Sequence, residues 1–145
     1  SSMECWTGKK SGMSPSEHEN QHALVIDDNK SNVEVIAALL EVEGVKVSSF
    51  MQPERAAAAL PELKSIDVVF CDLEMPRING YEMLTRLRAV YGRRVPVIAY
   101  TVHTSEMEQA RKRGFDGFLG KPLDGDRFSG LLDKILHGQQ VWEQA

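Results

Sequence analysis

The stretch Ile66–Gly80, IDVVFCDLEMPRING, is a short apolar run that stops at a carboxylate and a turn. Ile66 and Val68 to Cys71 are too few for a helix and rich in β-branched side chains. They read as a strand buried on both faces that delivers Asp72 to its carboxyl end. Pro76 cannot continue a ladder, and Asn79-Gly80 is a turn signal at the entrance of the next helical pattern. Asp72 therefore stands at a strand-to-loop corner, where open α/β sheets bind their ligands.

Composition bounds what Asp72 can do. The 145 residues, 42% of them hydrophobic, suit one domain with a single core. A net charge of -4 without a basic stripe leaves no footprint for direct nucleic-acid binding. Arg93-Arg94 and Arg111-Lys112-Arg113 read as solvated faces. Cys5 sits in a polar tail and Cys71 in the core strand, so no disulfide framework is indicated and a cytoplasmic setting is expected. No apolar run approaches membrane-spanning length, and no hydrophobic signal core opens the chain, so no membrane partner is expected.

Residues 1–21 lack apolar periodicity and read as a flexible N-terminal extension in which Trp6 is exposed. The fold is expected over 22–138, with 139–145 a C-terminal tail and Trp142 frayed. Ala23-Leu24-Val25-Ile26 reads as a first buried strand ending at Asp27 and Asp28. Val33, Ile36, Ala37 and Leu40 keep helical spacing up to Gly44, and alternation from Val45 to Phe50 suggests an edge strand. Pro53 opens a second helix that Pro61 should bend or interrupt.

After the Asp72 strand, Leu84, Leu87 and Tyr91 mark a third helix, and Val95–Thr101 a fourth strand ending in a hydroxyl. Ser105 to Gly114 is expected as a fourth helix, with a capping box from Ser105 to Glu108 and a thin apolar face of Met107 and Ala110. Phe115, Phe118 and Leu119 mark a fifth strand running into Gly120-Lys121-Pro122, before a last helix capped at Asp124. Five strands alternating with five helices imply a doubly wound parallel sheet. Its rim would gather Asp27, Asp28, Asp72, Thr101 and Lys121.

Carboxylates crowded in one pocket repel by about 4 kcal/mol per pair at ~4 Å and an effective dielectric near ~20. An oxygen-only donor set of this kind favours Mg²⁺, and a divalent ion with the Lys121 ammonium would balance three carboxylates. No Ser or Cys has an evident His base, and G-x-S-x-G, P-loop and dinucleotide motifs are absent. His18, His22, His103 and His137 do not pair at ligand spacing, and His103 reads as a solvated loop residue. A carboxylate can still act as a nucleophile toward phosphorus.

In sequence order, the pair Asp27-Asp28, Asp72 followed by Met75-Pro76 and Asn79-Gly80, Thr101, and Lys121-Pro122 resemble the response-regulator receiver domains of two-component signalling. The resemblance covers about Ala23 to Leu136. It implies a flavodoxin-like sheet of order 2-1-3-4-5, as in chemotaxis receivers. It implies that Asp72 accepts a phosphoryl group from a phosphohistidine on a histidine kinase or phosphotransfer protein. Asp28, Asp72, the backbone carbonyl of Glu74, and Asp27 through water would hold Mg²⁺. Lys121 would contact a phosphoryl oxygen and precede a cis bond to Pro122. Thr101 would swing toward the phosphoryl group as Phe118 turns inward. A downstream protein would read the face of helix 4, strand 5 and helix 5.

Two features depart from the family pattern. Val102 follows Thr101 where a small residue is usual and would narrow access to Asp72, and Glu74 would tune hydrolysis or remain a solvated loop residue. A phosphate-independent, receiver-like interaction module is the alternative, against which intact Asp72, Thr101 and Lys121 count. A free-standing phosphatase fits worse, because Asp72-Leu73-Glu74 lacks the usual second aspartate.

Overall fold

Apolar runs with turn signals between them fold as strands, and i, i+3, i+4 stripes fold as the helices that cover them. The computed structural model describes residues 21–143 apart from Pro122. The extension including Trp6, and the peptide bond to Pro122, therefore lie outside the described residues. The elements are β1 (His22–Ile26), α1 (Lys30–Val42), β2 (Lys46–Phe50), α2 (Pro53–Ala59), β3 (Val68–Cys71), α3 (Gly80–Tyr91), β4 (Val97–Thr101), α4 (Met107–Arg113), β5 (Gly117–Gly120), α5 (Gly125–Leu136) and β6 (Val141–Glu143).

All strand pairs are parallel, in the order β2-β1-β3-β4-β5-β6. The five-stranded order implied by the resemblance is present, and β2 is the half-exposed edge that its alternation predicts. The sixth strand was not expected. Residues 141–143 leave the tail to pair with β5, whose unpaired main-chain groups would otherwise face solvent.

The period of two sends alternate residues to opposite faces. Ala23, Val25, Phe70 and Tyr100 pack with Ile36 and Leu40 of α1 and with Phe128 and Leu132 of α5. Leu24, Ile26, Cys71 and Ala99 pack with Leu60, with Leu84 and Leu87 of α3, and with Phe118. Burying each such aliphatic or aromatic side chain contributes roughly 1.5–3 kcal/mol. The central strands are thereby the rigid part of the molecule.

Local chemistry sets the helix ends. Asn29 caps α1 by accepting from the Asn32 N–H, and Asp124 caps α5 by accepting from the Asp126 N–H. Pro61 ends α2 as expected, and Leu60–Glu62 continue as a 3₁₀ turn. The capping box expected at Ser105 and Glu108 does not form. Thr104–Glu106 tighten into a 3₁₀ turn, α4 begins at Met107, and the Met107 N–H donates to the Thr104 carbonyl. The box is instead at α3, where Asn79 and Glu82 satisfy each other's backbone N–H groups.

Gly80, the first residue of α3, lies against the Asp72 corner. A Cβ there would sit 2.5 Å from the Asp72 carbonyl oxygen and 2.7 Å from Leu73 Cα. Backbone cannot retreat as a flexible side chain can. Gly80→Ala is therefore expected to destabilise the domain by about 2 kcal/mol through overpacking, read as a lower urea midpoint. An unchanged midpoint would show that α3 shifts freely from the corner.

Candidate functional site

β1 and β3 are hydrogen-bonded neighbours, with Ile26 and Cys71 in register, so the next residues, Asp27 and Asp72, emerge side by side. Backbone bonds fix both: the Asp27 N–H donates to the Phe50 carbonyl at 3.1 Å, and the Asp72 N–H to the Ile26 carbonyl at 2.9 Å. Asp27 is fully buried and Asp72 is 6% exposed, whereas Asp28 reaches solvent. One oxygen from each of the three carboxylates lies within 4.8 Å of the others.

One ammonium offsets this charge. Lys121, just beyond β5, places Nζ 2.7 Å from Asp27 Oδ2 and 3.8 Å from Asp72 Oδ2. The Lys121 N–H donates to the Thr101 carbonyl, which ties the lysine loop to the end of β4. The Asn29 N–H donates to Asp27 Oδ1 at 2.9 Å, and the Glu74 N–H makes a long 3.4 Å bond to Asp72 Oδ1.

The imbalance shows in the acidities. Burial, with Asp27 beside it, pushes the Asp72 carboxyl up to about 6 despite Lys121. Burial, then Asp27, also raises Asp28. Burial raises the Cys71 thiol strongly, with Asp72 and Asp27 adding to the effect, so Cys71 is an inert core residue and no nucleophile.

The residues present fit a hard divalent cation. Three carboxylates converge with one ammonium, the donors are all oxygen, and Asp72 lacks a second close cation to hold its charge. Among the described residues, Asp27, Asp28 and Asp72 are the side chains able to hold it.

The structure thus brings Asp27, Asp28, Asp72 and Lys121 together. Thr101 is buried at the end of β4, with its Oγ1 accepting from the His103 N–H at 3.2 Å. Phe118 is fully buried in the α3-side core. Glu74 is exposed, and Val102 is 63% exposed beside Thr101. His103 is likewise exposed.

Tyr100 was missed. Its ring lies beneath Lys121, with Nζ 4.4 Å from the centroid. Burial raises its phenol, the Asp27 carboxylate raises it further, and the hydroxyl makes no hydrogen bond of acceptable geometry. The signal lay in register: Tyr100 pairs with Leu119, and Lys121 is two residues further along the same face. A cavity of about 300 Å³ lined by Asn32, Val35, Tyr100, Lys121 and Leu123 adjoins the site.

Comparison with known proteins agrees with this geometry. A family model described as the response regulator receiver domain matches residues 23–133. The chain belongs to that family, the phosphoacceptor domains of two-component signalling. It is 31% identical over 121 residues to the transcriptional regulatory protein ZraR of Escherichia coli O157:H7, covering 82% of this chain and 27% of that protein. It is 27% identical over 139 residues to probable histidine kinase 6 of Oryza sativa subsp. japonica, covering 81% of this chain and 14% of that one. The chain thus spans less than a third of either relative.

Among solved structures, a receiver domain from Clostridium thermocellum superposes with a TM-score of 0.72 at 26% identity, covering 81% of this chain and 94% of that one. The receiver domain of a Pseudomonas aeruginosa sensor histidine kinase, solved with a magnesium ion coordinated in its active-site cleft, gives 0.71 at 27% identity, covering 81% and 98%.

The raised Asp72 pKa predicts a pH-dependent stability. The folded state favours the protonated carboxyl, so metal-free stability should fall as pH rises from the ordinary value of 3.8 through about 6. Asp72→Asn removes that penalty. In a chelator at pH 7.5 the variant should be more stable than wild type by on the order of 2 kcal/mol, with the gap closing below pH ~4. Urea midpoints at both pH values check this. A variant no more stable than wild type at pH 7.5 would remove the claim of uncompensated charge.

Proposed function

We propose that Asp72 takes a phosphoryl group from a phosphohistidine on a histidine kinase or phosphotransfer protein. The observation that carries this is the convergence of Asp27, Asp28 and Asp72 within 4.8 Å, with Lys121 Nζ between the two buried ones. An Asp72 oxygen attacks phosphorus, the oxygen–phosphorus bond forms as the phosphorus–nitrogen bond breaks, and the electron pair leaves on the donor imidazole.

Bound Mg²⁺ would neutralise phosphoryl and carboxylate charge together. Asp28, Asp72 and the Glu74 carbonyl would hold it directly, and Asp27 through water. Lys121, braced by Asp27 and the Tyr100 ring, supplies a fixed positive charge at the phosphoryl oxygens. Rate comes from positioning on buried strand ends, with no covalent catalyst beyond Asp72. The same geometry would support hydrolysis of the acyl phosphate, so the domain sets its own phosphorylation and dephosphorylation.

Thr101 would then turn its hydroxyl toward a phosphoryl oxygen, and Phe118, already buried in the α3-side core rather than turned outward, would repack behind it. We further propose that the receiver unit begins at residue 22, after the 1–21 extension, and acts in the cytoplasm; β6 carries the unit beyond the expected end at residue 138. Among the described residues no helix is long and apolar enough to cross a membrane. The α4–β5–α5 face would carry the signal to a downstream protein rather than to nucleic acid.

Intact-mass spectrometry after incubation with Mg²⁺ and phosphoramidate tests this reading. A single phosphoryl adduct is expected, lost in Asp72→Asn and in chelator. Lys121→Ala should slow its formation by at least about tenfold. No adduct under any condition would leave the phosphate-independent interaction module as the better account.

A further inference from the structure

The groove between α4 and the outer edge of β5 holds residues 141–143 as a parallel strand, with Val141 in register with Gly117 and Trp142 with Phe118. Gly117 is what lets this strand close. A Cβ there would meet the Val141 carbonyl oxygen at 2.8 Å and Val141 Cγ2 at 3.3 Å. Val141 is consequently buried to 4% exposure. Trp142 packs on the α3-side core, and the Arg111 guanidinium of α4 lies 4.4 Å from its ring centroid. The groove thus has a small-residue slot, an aromatic seat and a cationic wall.

The occupant is held lightly. β6 has three residues, and it follows Gly138, at φ 85°, and the exposed Gln139 and Gln140. Among the described residues the Trp142 indole N–H donates to Gln140 of its own segment. On the other wall, α4 has seven residues and buries Ala110 alone. Short edge elements reached through an exposed linker open at lower free energy than the buried central strands.

We propose that the α4–β5 groove is a docking site for an extended segment of a partner protein, added as a parallel strand with a β-branched residue against Gly117 and an aromatic residue against Arg111. Residues 141–143 occupy it in competition with that partner. Main-chain bonds to β5 supply affinity, and the two side-chain seats supply specificity. The exposed Arg111, Lys112 and Arg113 turn favours acidic residues beside the aromatic. Tethering gives the chain's own strand a high effective concentration, so the site stays closed to weak ligands. The inference rests on the α4–β5–α5 face proposed above as the output surface, and not on phosphoryl transfer at Asp72.

The test titrates a fluorescein-labelled peptide with the sequence of residues 138–145, followed by anisotropy. The hosts are the unaltered chain and a full-length Val141→Ser/Trp142→Ser variant whose own strand no longer competes. Saturable binding to the variant is expected, at least about tenfold weaker to the unaltered chain. Adding Arg111→Ala should weaken it by about threefold. Equal binding to both hosts, or none to a variant with an unchanged circular dichroism spectrum, overturns the proposal. A dimer of the unaltered chain that the peptide dissociates would make a second copy the occupant and overturn the partner assignment.

Should the double variant not fold, hydrogen exchange on the unaltered chain decides. Amides 141–143 must exchange at least about a hundredfold faster than those of β3, and equal protection overturns the proposal.

Discussion

Pairing β1 with β3 forces Asp27 and Asp72 together, and that enforced proximity is the constraint from which the rest of the site follows. The two side chains cannot separate without breaking the Asp27–Phe50 and Asp72–Ile26 backbone bonds that anchor them. Nor can they be solvated, because the strands behind them are buried. Lys121 answers part of the charge and Tyr100 part of the lysine's placement. Asp72 remains the least compensated member, a carboxylate whose charge is welcome only when cations gather, and this suits the phosphoryl acceptance proposed for it.

The opposite rim of the sheet shows the same side-chain chemistry used structurally. Asp67 accepts the His22 N–H at 2.8 Å. Asp116 accepts the Val97 N–H at 2.9 Å and Arg88 Nη2 at 2.6 Å, stitching β4, β5 and α3. Each amino-end carboxylate is paired with donors of the fold itself. The three carboxyl-end carboxylates have one ammonium among them, so function separates from structure by the balance of charge rather than by residue type.

Much of this was legible in the sequence because strand runs ending in acids report position directly. Ala23–Ile26 before Asp27, and Val68–Cys71 before Asp72, fix both the buried strand and the rim. Three features were not legible. The Ser105–Glu108 pattern matched a capping box, yet the chain leaving Thr101 closes as a 3₁₀ turn first, and local propensity yields to that geometry. Tyr100 read as core because its contact with Lys121 depends on register between two strands. β6 contains only Val141, Trp142 and Glu143, too few for a periodic signal, and its stability comes from Gly117, distant in sequence.

Rigidity is divided accordingly. Asp72, its acidic neighbours and Thr101 sit at the ends of buried strands, whereas the α4 side is held by contacts at its margins: Tyr81 to Glu106, Arg113 over Tyr81, and Arg111 over Trp142. Phe118 joins the two regions. It is fully buried, its register neighbour is Trp142, and both pack in one core. With β6 seated, Phe118 has a packed register neighbour on each side, Ala99 of β4 and Trp142 of β6, so one buried side chain is shared between the rigid strand ends and the α4 margin.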